Sequence, residues 1–376
     1  MKKRFLGVLL SVAMVAAVLA GCGSSGAKET AAPAGSETAA PAGSETEAAS
    51  EAVSGETEAA GNTGDVITVG FSQVGAESDW RTANSESMKS TFSTENGYNL
   101  IFDDAQQKQE NQIAAIRNFI QQEVDYIVLA PVTESGWDTV LQEAKDAEIP
   151  VIIVDRMVNV SDDSLYTAWV GSNFKLEGQK ACEWLKQYAA AKNMSEVNIV
   201  DIQGTIGASA QIGRTEALNE AVEANGWNLL AQQTGEFTQA KGQEVMESML
   251  KQYDNINVVY CENDNEAFGA IEAIKAAGKT VGPDGDILVM SFDTTKQGIT
   301  DTLSGDIIVN TECNPLHGPR VEQIIKQLQA GETPEKQAYV EEGIYAHGSD
   351  VASVSIDGTD YEVTEVTQDV VDARAY

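Results

Sequence analysis

Two patterns of hydrophobic residues alternate along most of this chain. Short runs rich in β-branched residues, such as Val-Ile-Ile-Val at 151–154, are typical of strands buried on both faces of a parallel sheet. Between these runs, apolar residues recur at helical spacing, as do Ile113, Ile116 and Ile120. The patterns predict a chain that alternates strand and helix.

The alternation falls into two series of similar length. The first series has predicted strands at 66–71, 98–102, 124–131, 150–154 and 166–170, and predicted helices at 82–96, 109–122 and 137–147. The second has predicted helices at 175–191, 213–224, 241–252 and 265–277, and predicted strands at 197–202, 229–231, 257–260 and 287–292. Two such series predict an α/β protein with two doubly wound parallel-sheet lobes joined by a hinge. Clefts between lobes of this kind enclose small ligands.

The first 21 residues have the features of an export signal. Lys2, Lys3 and Arg4 precede an apolar run at 5–19, which is too short to read as a transmembrane helix. Leu-Ala-Gly-Cys at 19–22 resembles a bacterial lipobox, which implies cleavage before Cys22 and lipid attachment to it. The alternative is an ordinary secretory signal with a chance cysteine. Both place the protein outside the cytoplasm, and lipidation would anchor it to the membrane surface.

Composition separates a tether from the folded part. Residues 22–64 consist almost entirely of Ala, Gly, Ser, Thr, Glu and Pro, so we expect a disordered acidic linker. The whole chain has 58 acidic and 24 basic residues and a formal net charge of −34. Such a charge repels nucleic acid and anionic lipid, so neither is an expected partner.

The chain offers little material for metal or redox chemistry. Three cysteines follow the linker, Cys182, Cys261 and Cys313, with no CxxC spacing, and the sequence has only two histidines. We therefore predict no metal site and no cofactor. A Cys261–Cys313 disulfide is open, whereas Cys182, within a predicted helix, is expected to be a buried hydrophobic residue. No nucleophile–base pair is evident, so an enzyme is not expected.

Two adjacent charged residues, Asp155 and Arg156, follow the strand at 150–154. In open α/β sheets, ligands bind beyond the carboxyl ends of the strands. A carboxylate and a guanidinium at that point offer acceptors and a rigid set of donors to a small polar molecule. The alternative is a structural ion pair that covers the strand end.

The loop after the first strand holds four further candidates, Glu77, Ser78, Trp80 and Arg81. A tryptophan beside an arginine can stack on the C–H face of a sugar while polar groups bind its hydroxyls. The alternative is a capped helix start, with Ser78 or Asp79 as the N-cap and Trp80 in the core.

Polar or aromatic residues also follow strands of the second series. These candidates are Phe237, Asn263 and Asp293, and Arg214 closes a glycine-containing loop that lacks the GxxxxGK[ST] and GxGxxG patterns of nucleotide sites. Singly, each could be a turn or cap residue. Jointly, they indicate a polar lining at the strand ends of both lobes.

Four segments of the first half resemble one known family. They are VGFSQVG (69–75), ESDWR (77–81), QQKQENQI (106–113) and EAKDAEIPV (143–151). From residue 67 to about 318, the chain resembles the type I periplasmic sugar-binding proteins, the ribose/galactose-binding family of ABC importers, and most of all the galactofuranose-binding branch. The resemblance implies a protein whose two lobes close on one monosaccharide, with lobes at 65–170 plus 314–342 and 171–313 plus 343–376.

The resemblance also implies roles for the candidates. Glu77, Ser78, Trp80 and Arg81 match first-loop ligand contacts, Asp155 and Arg156 match a pair that binds ring hydroxyls, Phe237 matches an aromatic contact, Asn263 and Asp293 match second-lobe hydroxyl partners, and Arg214 matches a second-lobe arginine.

The chain departs from the ribose branch at three places. Ile212 stands where that branch has an arginine, which bears on whether Arg214 contacts the ligand directly. Cys313 stands where it has a glutamine, which argues against a strict ribose binder, and Trp80-Arg81 stand where it has two phenylalanines, which favours a more hydroxyl-rich or differently shaped sugar.

The implied function is a lipid-anchored, monomeric solute-binding protein that delivers a sugar to an ABC permease. The alternative is a sensor module that presents a sugar or an autoinducer-type ligand to a chemoreceptor or kinase. A repressor of similar fold is disfavoured, because the chain has an export signal and no N-terminal helix-turn-helix.

Overall fold

Fourteen strands form two sheets within residues 66–376, the part of the chain that this computed structural model describes. The strands are β1 (Ile67–Gln73), β2 (Tyr98–Asp104), β3 (Tyr126–Leu129), β4 (Val151–Val154), β5 (Ala168–Gly171), β6 (Asn198–Gln203), β7 (Asn228–Thr234), β8 (Val258–Cys261), β9 (Leu288–Asp293), β10 (Val309–Glu312), β11 (Gln337–Tyr339), β12 (Ile344–Ala346), β13 (Ser353–Ile356) and β14 (Thr359–Glu365). The predicted signal at 1–21, its lipidation at Cys22 and the predicted linker at 22–64 lie outside the described residues.

Ten α-helices connect or flank these strands in the described part of the chain. They are α1 (Asp79–Thr91), α2 (Gln109–Gln121), α3 (Asp138–Asp146), α4 (Phe174–Ala191), α5 (Ser209–Asn225), α6 (Gln239–Gln252), α7 (Asp264–Ala276), α8 (Lys296–Ser304), α9 (Gly318–Gln329) and α10 (Gln368–Ala373). None of the helices among residues 66–376 is both long enough and apolar enough to cross a membrane.

The first sheet has six strands in the order β11-β5-β4-β3-β1-β2, all parallel. The second has eight strands in the order β13-β14-β12-β10-β9-β8-β6-β7, and β10–β12 and β13–β14 are antiparallel pairs at one end. We call the halves built on these sheets the first and second lobes. Two doubly wound lobes are the fold class that the strand–helix alternation predicts.

Buried β-branched strand residues form the core of each lobe. Val128, Ile152 and Val154 pack with α9 in the first lobe, and Val258 and Leu288 pack with α4 in the second. The chain passes between the lobes three times, at 172–173, 313–317 and 340–343. Because α9 and β11 return to the first lobe before β12 re-enters the second, neither lobe is a continuous stretch of sequence. The boundaries given above for the lobes stay a prediction.

Two predicted helix starts differ from the structure by three residues or more. The first helix begins at Asp79, three residues before the predicted start at Thr82, and α5 begins at Ser209, four before Gly213. In α1, the Ser78 side chain accepts a hydrogen bond from the Arg81 N–H, so the polar loop is in fact the first turn of the helix. Helices α8, α9 and α10 and the short strands β11 and β12 had no counterpart in the prediction.

Candidate functional site

The carboxyl ends of the strands of both lobes border a cavity whose empty volume, space open to solvent included, is about 290 Å³. Its lining includes all ten residues singled out from the sequence, from both lobes. The lining residues are Glu77, Ser78, Trp80, Arg81, Asp155, Arg156, Phe174, Ala210, Arg214, Phe237, Asn263, Asp293 and Cys313.

Arg81 holds the two acids of the first lobe in place. Its Nη2 donates to Asp155 Oδ2 at 2.7 Å and its Nε to Glu77 Oε1 at 3.1 Å. Its Nη1 donates to the buried Gln73 side chain at 3.2 Å. Each carboxylate therefore has one oxygen committed to Arg81. Glu77 Oε2 is buried, and neither it nor Asp155 Oδ1 has a hydrogen-bond partner among the described residues.

Arg156 has hydrogen-bond donors with no acceptor in the described part of the chain. Its Nη1 donates to the Val132 carbonyl at 3.0 Å, but its Nη2 is 3.8 Å from Glu77 and its Nε 3.9 Å from Asp155, both beyond hydrogen-bond distance. Burial and the nearby Arg81 lower the pKa of Arg156 to about 10, which leaves it charged at neutral pH. Burial opposes ionisation of Asp155, yet Arg81 and Arg156 outweigh it and hold the pKa of Asp155 below its usual range.

Arg214 plays the corresponding part in the second lobe. It donates from Nε to Glu177 Oε2 at 2.8 Å and from Nη1 to the Glu262 carbonyl, and its Nη2 lies 3.5 Å from Asp293 Oδ1. Most of its donors are thus used within the lobe. Burial raises the pKa of Asp293 well above its usual range despite Arg214. A ligand hydroxyl that donates to this carboxyl would favour its charged form and lower that pKa.

Aromatic and small apolar side chains separate these charged groups. Trp80, Phe174, Ala210 and Phe237 belong to one buried cluster at the cavity. The Trp80 indole donates to the Cys313 carbonyl at 2.7 Å, which fixes the plane of the ring. A cavity with aromatic faces and polar groups between them suits a molecule with C–H faces and hydroxyl edges.

Ser78 and Asn263 combine the two roles that the sequence left open. Both are N-cap residues, of α1 and α7 respectively, and both line the cavity. The Asn263 side chain also donates to the Phe237 carbonyl at 3.1 Å. One amide hydrogen of Asn263 and the Ser78 hydroxyl hydrogen are left to meet a ligand.

The three cysteines beyond the linker are free and buried, so the structure has no Cys261–Cys313 bridge. Burial raises the pKa of Cys313 well above its usual range, so its thiol is a poor nucleophile.

The Cys313 sulfur lies near the carboxylates of Glu177 and Glu342, the one such group of potential metal ligands among residues 66–376. Glu177 already pairs with Arg214, and Glu342 accepts from the Ser172 hydroxyl at 2.6 Å.

Three lining residues were not among the predicted site residues. Phe174 is the first residue of α4 and lies just beyond the end of β5. It therefore occupies the same kind of strand-end position as the predicted site residues and could have been predicted in the same way. Ala210 and Cys313 are small, and nothing in their local sequence marks them as lining residues. From the sequence, Cys313 stands out as a departure from the ribose branch and as a possible disulfide partner of Cys261, not as a lining residue.

Known proteins resemble the chain along most of the described residues. Residues 69–311 match the model of the periplasmic binding protein domain. The galactofuranose-binding protein YtfQ of Escherichia coli (strain K12) is 42% identical over 284 residues, 74% of this chain and 87% of that protein.

Two solved structures of similar identity share the fold. A Mycobacterium smegmatis protein in complex with β-D-fucofuranose is 43% identical with a TM-score of 0.72, covering 74% of this chain and 91% of that one. A Shewanella sp. ANA-3 protein, the periplasmic binding component of an arabinose ABC transporter bound to α- and β-L-arabinofuranose, is 42% identical with a TM-score of 0.70, covering 74% and 92%.

These comparisons confirm the resemblance drawn from the sequence and the prediction that the chain is not an enzyme. Two parallel-sheet lobes around a strand-end cavity, together with the match over residues 69–311, show that this chain belongs to the periplasmic binding protein family.

Proposed function

We propose that this protein binds one monosaccharide in the cavity between its lobes and delivers it to an ABC permease. The observation that supports the proposal best is the set of unused polar atoms at the cavity. Among residues 66–376, carboxylate oxygens of Glu77, Asp155 and Asp293 lack hydrogen-bond donors, and Arg156 has donors without acceptors. Hydroxyl groups can both donate to the former and accept from the latter, and charge-assisted hydrogen bonds are the stronger class.

The ligand is a neutral polyhydroxyl compound rather than a sugar acid or phosphate. Three carboxyl groups face the cavity, and each cation at the site already lies near an acid: Arg81 and Arg156 near Asp155, and Arg214 near Glu177. An added anion would find no cation without an acid beside it and would lie close to the carboxyl oxygens of Glu77 and Asp155.

We further propose that the sugar binds as a five-membered ring. The relatives bound to fucofuranose and arabinofuranose are 43% and 42% identical to this chain, and the galactofuranose-binding relative is 42% identical. The ligand proposed is therefore a galactofuranose-like hexose or a related pentose.

Calorimetry with L-arabinose and two deoxy derivatives tests both parts of the proposal. 5-Deoxy-L-arabinose lacks the hydroxyl that closes a six-membered ring, and 4-deoxy-L-arabinose lacks the one that closes a five-membered ring. We expect binding of L-arabinose and the 5-deoxy sugar but not of the 4-deoxy sugar. Binding of the 4-deoxy sugar alone would contradict the furanose form.

A melting-temperature screen covers the sugar class as a whole. A ligand present at about 100 times its Kd adds roughly 2.7 kcal/mol to the free energy of unfolding, which is readily detected. A panel of hexoses and pentoses that leaves the melting temperature unchanged would contradict the carbohydrate proposal.

Export, membrane attachment and delivery belong to the same proposal. We propose that Cys22 is lipidated and that residues 22–64 tether a monomeric binding domain to the outer face of the cell membrane. Labelling cells with radioactive palmitate should mark the protein, and Cys22→Ser should abolish the label and release the protein from the membrane fraction. Sugar uptake that persists after deletion of the protein would contradict the delivery role.

A further inference from the structure

Phe237 borders the cavity from a backbone conformation that phenylalanine rarely adopts. Its φ is 60° and that of the preceding Glu236 is 57°, both in the left-handed region. Such conformations cost free energy for residues other than glycine, and they persist only where the surroundings hold them. The position of the Phe237 ring therefore depends on whatever fixes this turn.

The first turn of α7 fixes both polar backbone groups of Phe237. Glu266 Oε1 accepts from the Phe237 N–H at 2.9 Å, and Asn263 Nδ2 donates to the Phe237 carbonyl at 3.1 Å. The two residues are themselves linked, because Asn263 Oδ1 accepts from the Glu266 N–H at 2.8 Å. Asn263 lines the cavity, but Glu266 does not.

The turn sets the placement of two groups that face the ligand. The Phe237 ring lies directly against Gly204, where an added Cβ would overlap it. On the cavity side, the Arg156 guanidinium carbon is 5.0 Å from the centre of the ring. A shift of the Phe237 backbone would therefore move the ring and remove a neighbour that orients Arg156.

The cost of burying Glu266 argues that its carboxyl has a specific use. The residue is 0% exposed, and its Oε2 has no hydrogen-bond partner among the described residues. No salt bridge involves it in that part of the chain, and burial raises its pKa well above the usual range. An apolar side chain of similar size would avoid this penalty. What an apolar side chain cannot do is accept the Phe237 N–H.

We propose that Glu266 is a positioning residue for ligand recognition, which holds the Phe237 ring and, through it, Arg156 in the geometry that binds the sugar. The inference rests on the proposed function and adds to it a residue that touches no ligand. It predicts that affinity depends on the acceptor oxygen of residue 266 and that this dependence operates through the Phe237 ring.

Glu266→Gln and Glu266→Leu separate the acceptor from the charge. Gln keeps an oxygen that can accept the Phe237 N–H, so we expect a Kd for L-arabinose within about threefold of the unchanged protein. Leu leaves that N–H buried and unpaired, and we expect the Kd to rise about tenfold or more. Glu272→Gln, an exposed position on the same helix, is the matched control and should not change the Kd. Should Glu266→Leu not fold, Glu266→Met, which also lacks the acceptor, replaces it.

The Phe237→Ala background distinguishes positioning from general destabilisation. If Glu266 acts through the ring, Glu266→Leu has no further effect on the Kd of Phe237→Ala. An equal loss in both backgrounds, or an unchanged Kd for Glu266→Leu and Glu266→Met, would overturn the inference. Failure of the unchanged protein to bind any sugar would contradict the proposed function itself, and the two failures are thus distinguishable.

Discussion

Three residues that line the cavity share a backbone conformation that favours glycine. Asp155, Phe237 and Asp293 have φ values of 63°, 60° and 96°. All three follow or end a strand, so the left-handed turn redirects each side chain from the strand direction into the space between the lobes. Backbone strain of this kind concentrates at functional sites, because the surrounding contacts must hold it in place.

Asp155→Asn tests the charged centre of the cavity. Asparagine fits the same space and tolerates a positive φ, but it removes the negative charge that Arg81 and Arg156 face at 2.7 and 3.9 Å. We expect sugar affinity to fall by about 2–5 kcal/mol, because a buried cation loses its partner. Calorimetry measures the change, and Glu143→Gln, at an exposed ion pair with Arg117, should not affect it. Equal affinity for Asp155→Asn and the unchanged protein would remove Asp155 from the site.

Gly204→Ala tests the packing behind the Phe237 ring. The new Cβ would overlap the ring, so the ring must move toward the cavity or the strand must shift. We expect sugar affinity to fall about tenfold and the free energy of unfolding to drop by roughly 1–3 kcal/mol, the usual cost of overpacking. Titration calorimetry and urea unfolding measure the two effects. If both remain unchanged, the ring does not rest on Gly204 as described.

The lobes contact each other beside the cavity as well as around it. The Met157 N–H donates to Ser209 Oγ at 2.9 Å, and the Asp79 N–H donates to Asn265 Oδ1 at 3.0 Å. Ser209 is the first residue of α5 and Asn265 lies in the first turn of α7, and neither lines the cavity. The same helix ends that supply ligand-facing residues therefore also join the lobes.

Ser209→Ala should speed ligand release without affecting capture. It removes one hydrogen bond between the lobes, worth about 0.5–1.5 kcal/mol, and it touches no ligand-facing group. We expect the dissociation rate of the sugar to rise roughly two- to tenfold at an unchanged association rate, since most interface effects appear in dissociation. Stopped-flow tryptophan fluorescence, to which Trp80 at the cavity contributes, would measure both rates, with the exposed Ser90→Ala as control. A slower association rate alone would contradict this expectation.

The second lobe buries several acidic side chains completely. Asp201, Glu262, Asp264 and Glu266 are all 0% exposed. Burial raises the pKa of Asp201 to about 7 and that of Asp264 to about 6. The folded protein thus retains protons that the unfolded chain releases above about pH 4, so these groups make stability fall as pH rises from about 4 to 7.

Asp201→Asn should remove part of this pH dependence. Asparagine keeps the oxygen that accepts from Gln232 at 3.0 Å and cannot ionise. Each unit of pKa shift corresponds to about 1.4 kcal/mol, so we expect the variant to be roughly 2–4 kcal/mol more stable at pH 8 and little changed at pH 4. Urea unfolding across this range measures the slope, with the exposed Asp254→Asn as control. A variant that is no more stable at pH 8 would show that Asp201 ionises without cost.

The fold class and most of the cavity-lining residues could be predicted from the sequence. Strand runs such as 151–154 and the helical spacing of Ile113, Ile116 and Ile120 are local patterns, and local periodicity sets which elements form. The strand-end rule then located Asp155, Arg156 and Asp293, because parallel strands present their carboxyl ends at one edge of a sheet. The apolar positions Val321, Ile324, Ile325 and Leu328 of α9 had the same helical spacing and could have been read in the same way.

Which distant residues meet could not be predicted from local sequence patterns. Three features depend on positions that are far apart in the sequence or in different elements. Helix α9 and strand β11 return to the first lobe, Cys261 and Cys313 are not bonded to each other, and the Phe237 N–H donates to Glu266. Hydrophobic periodicity specifies which face of an element is buried, but it does not specify the partner across the interface. In the sequence, nothing distinguishes Glu266 from other acidic residues of a helix. Its role depends on the Phe237 N–H that donates to it, and that contact exists only in the folded protein.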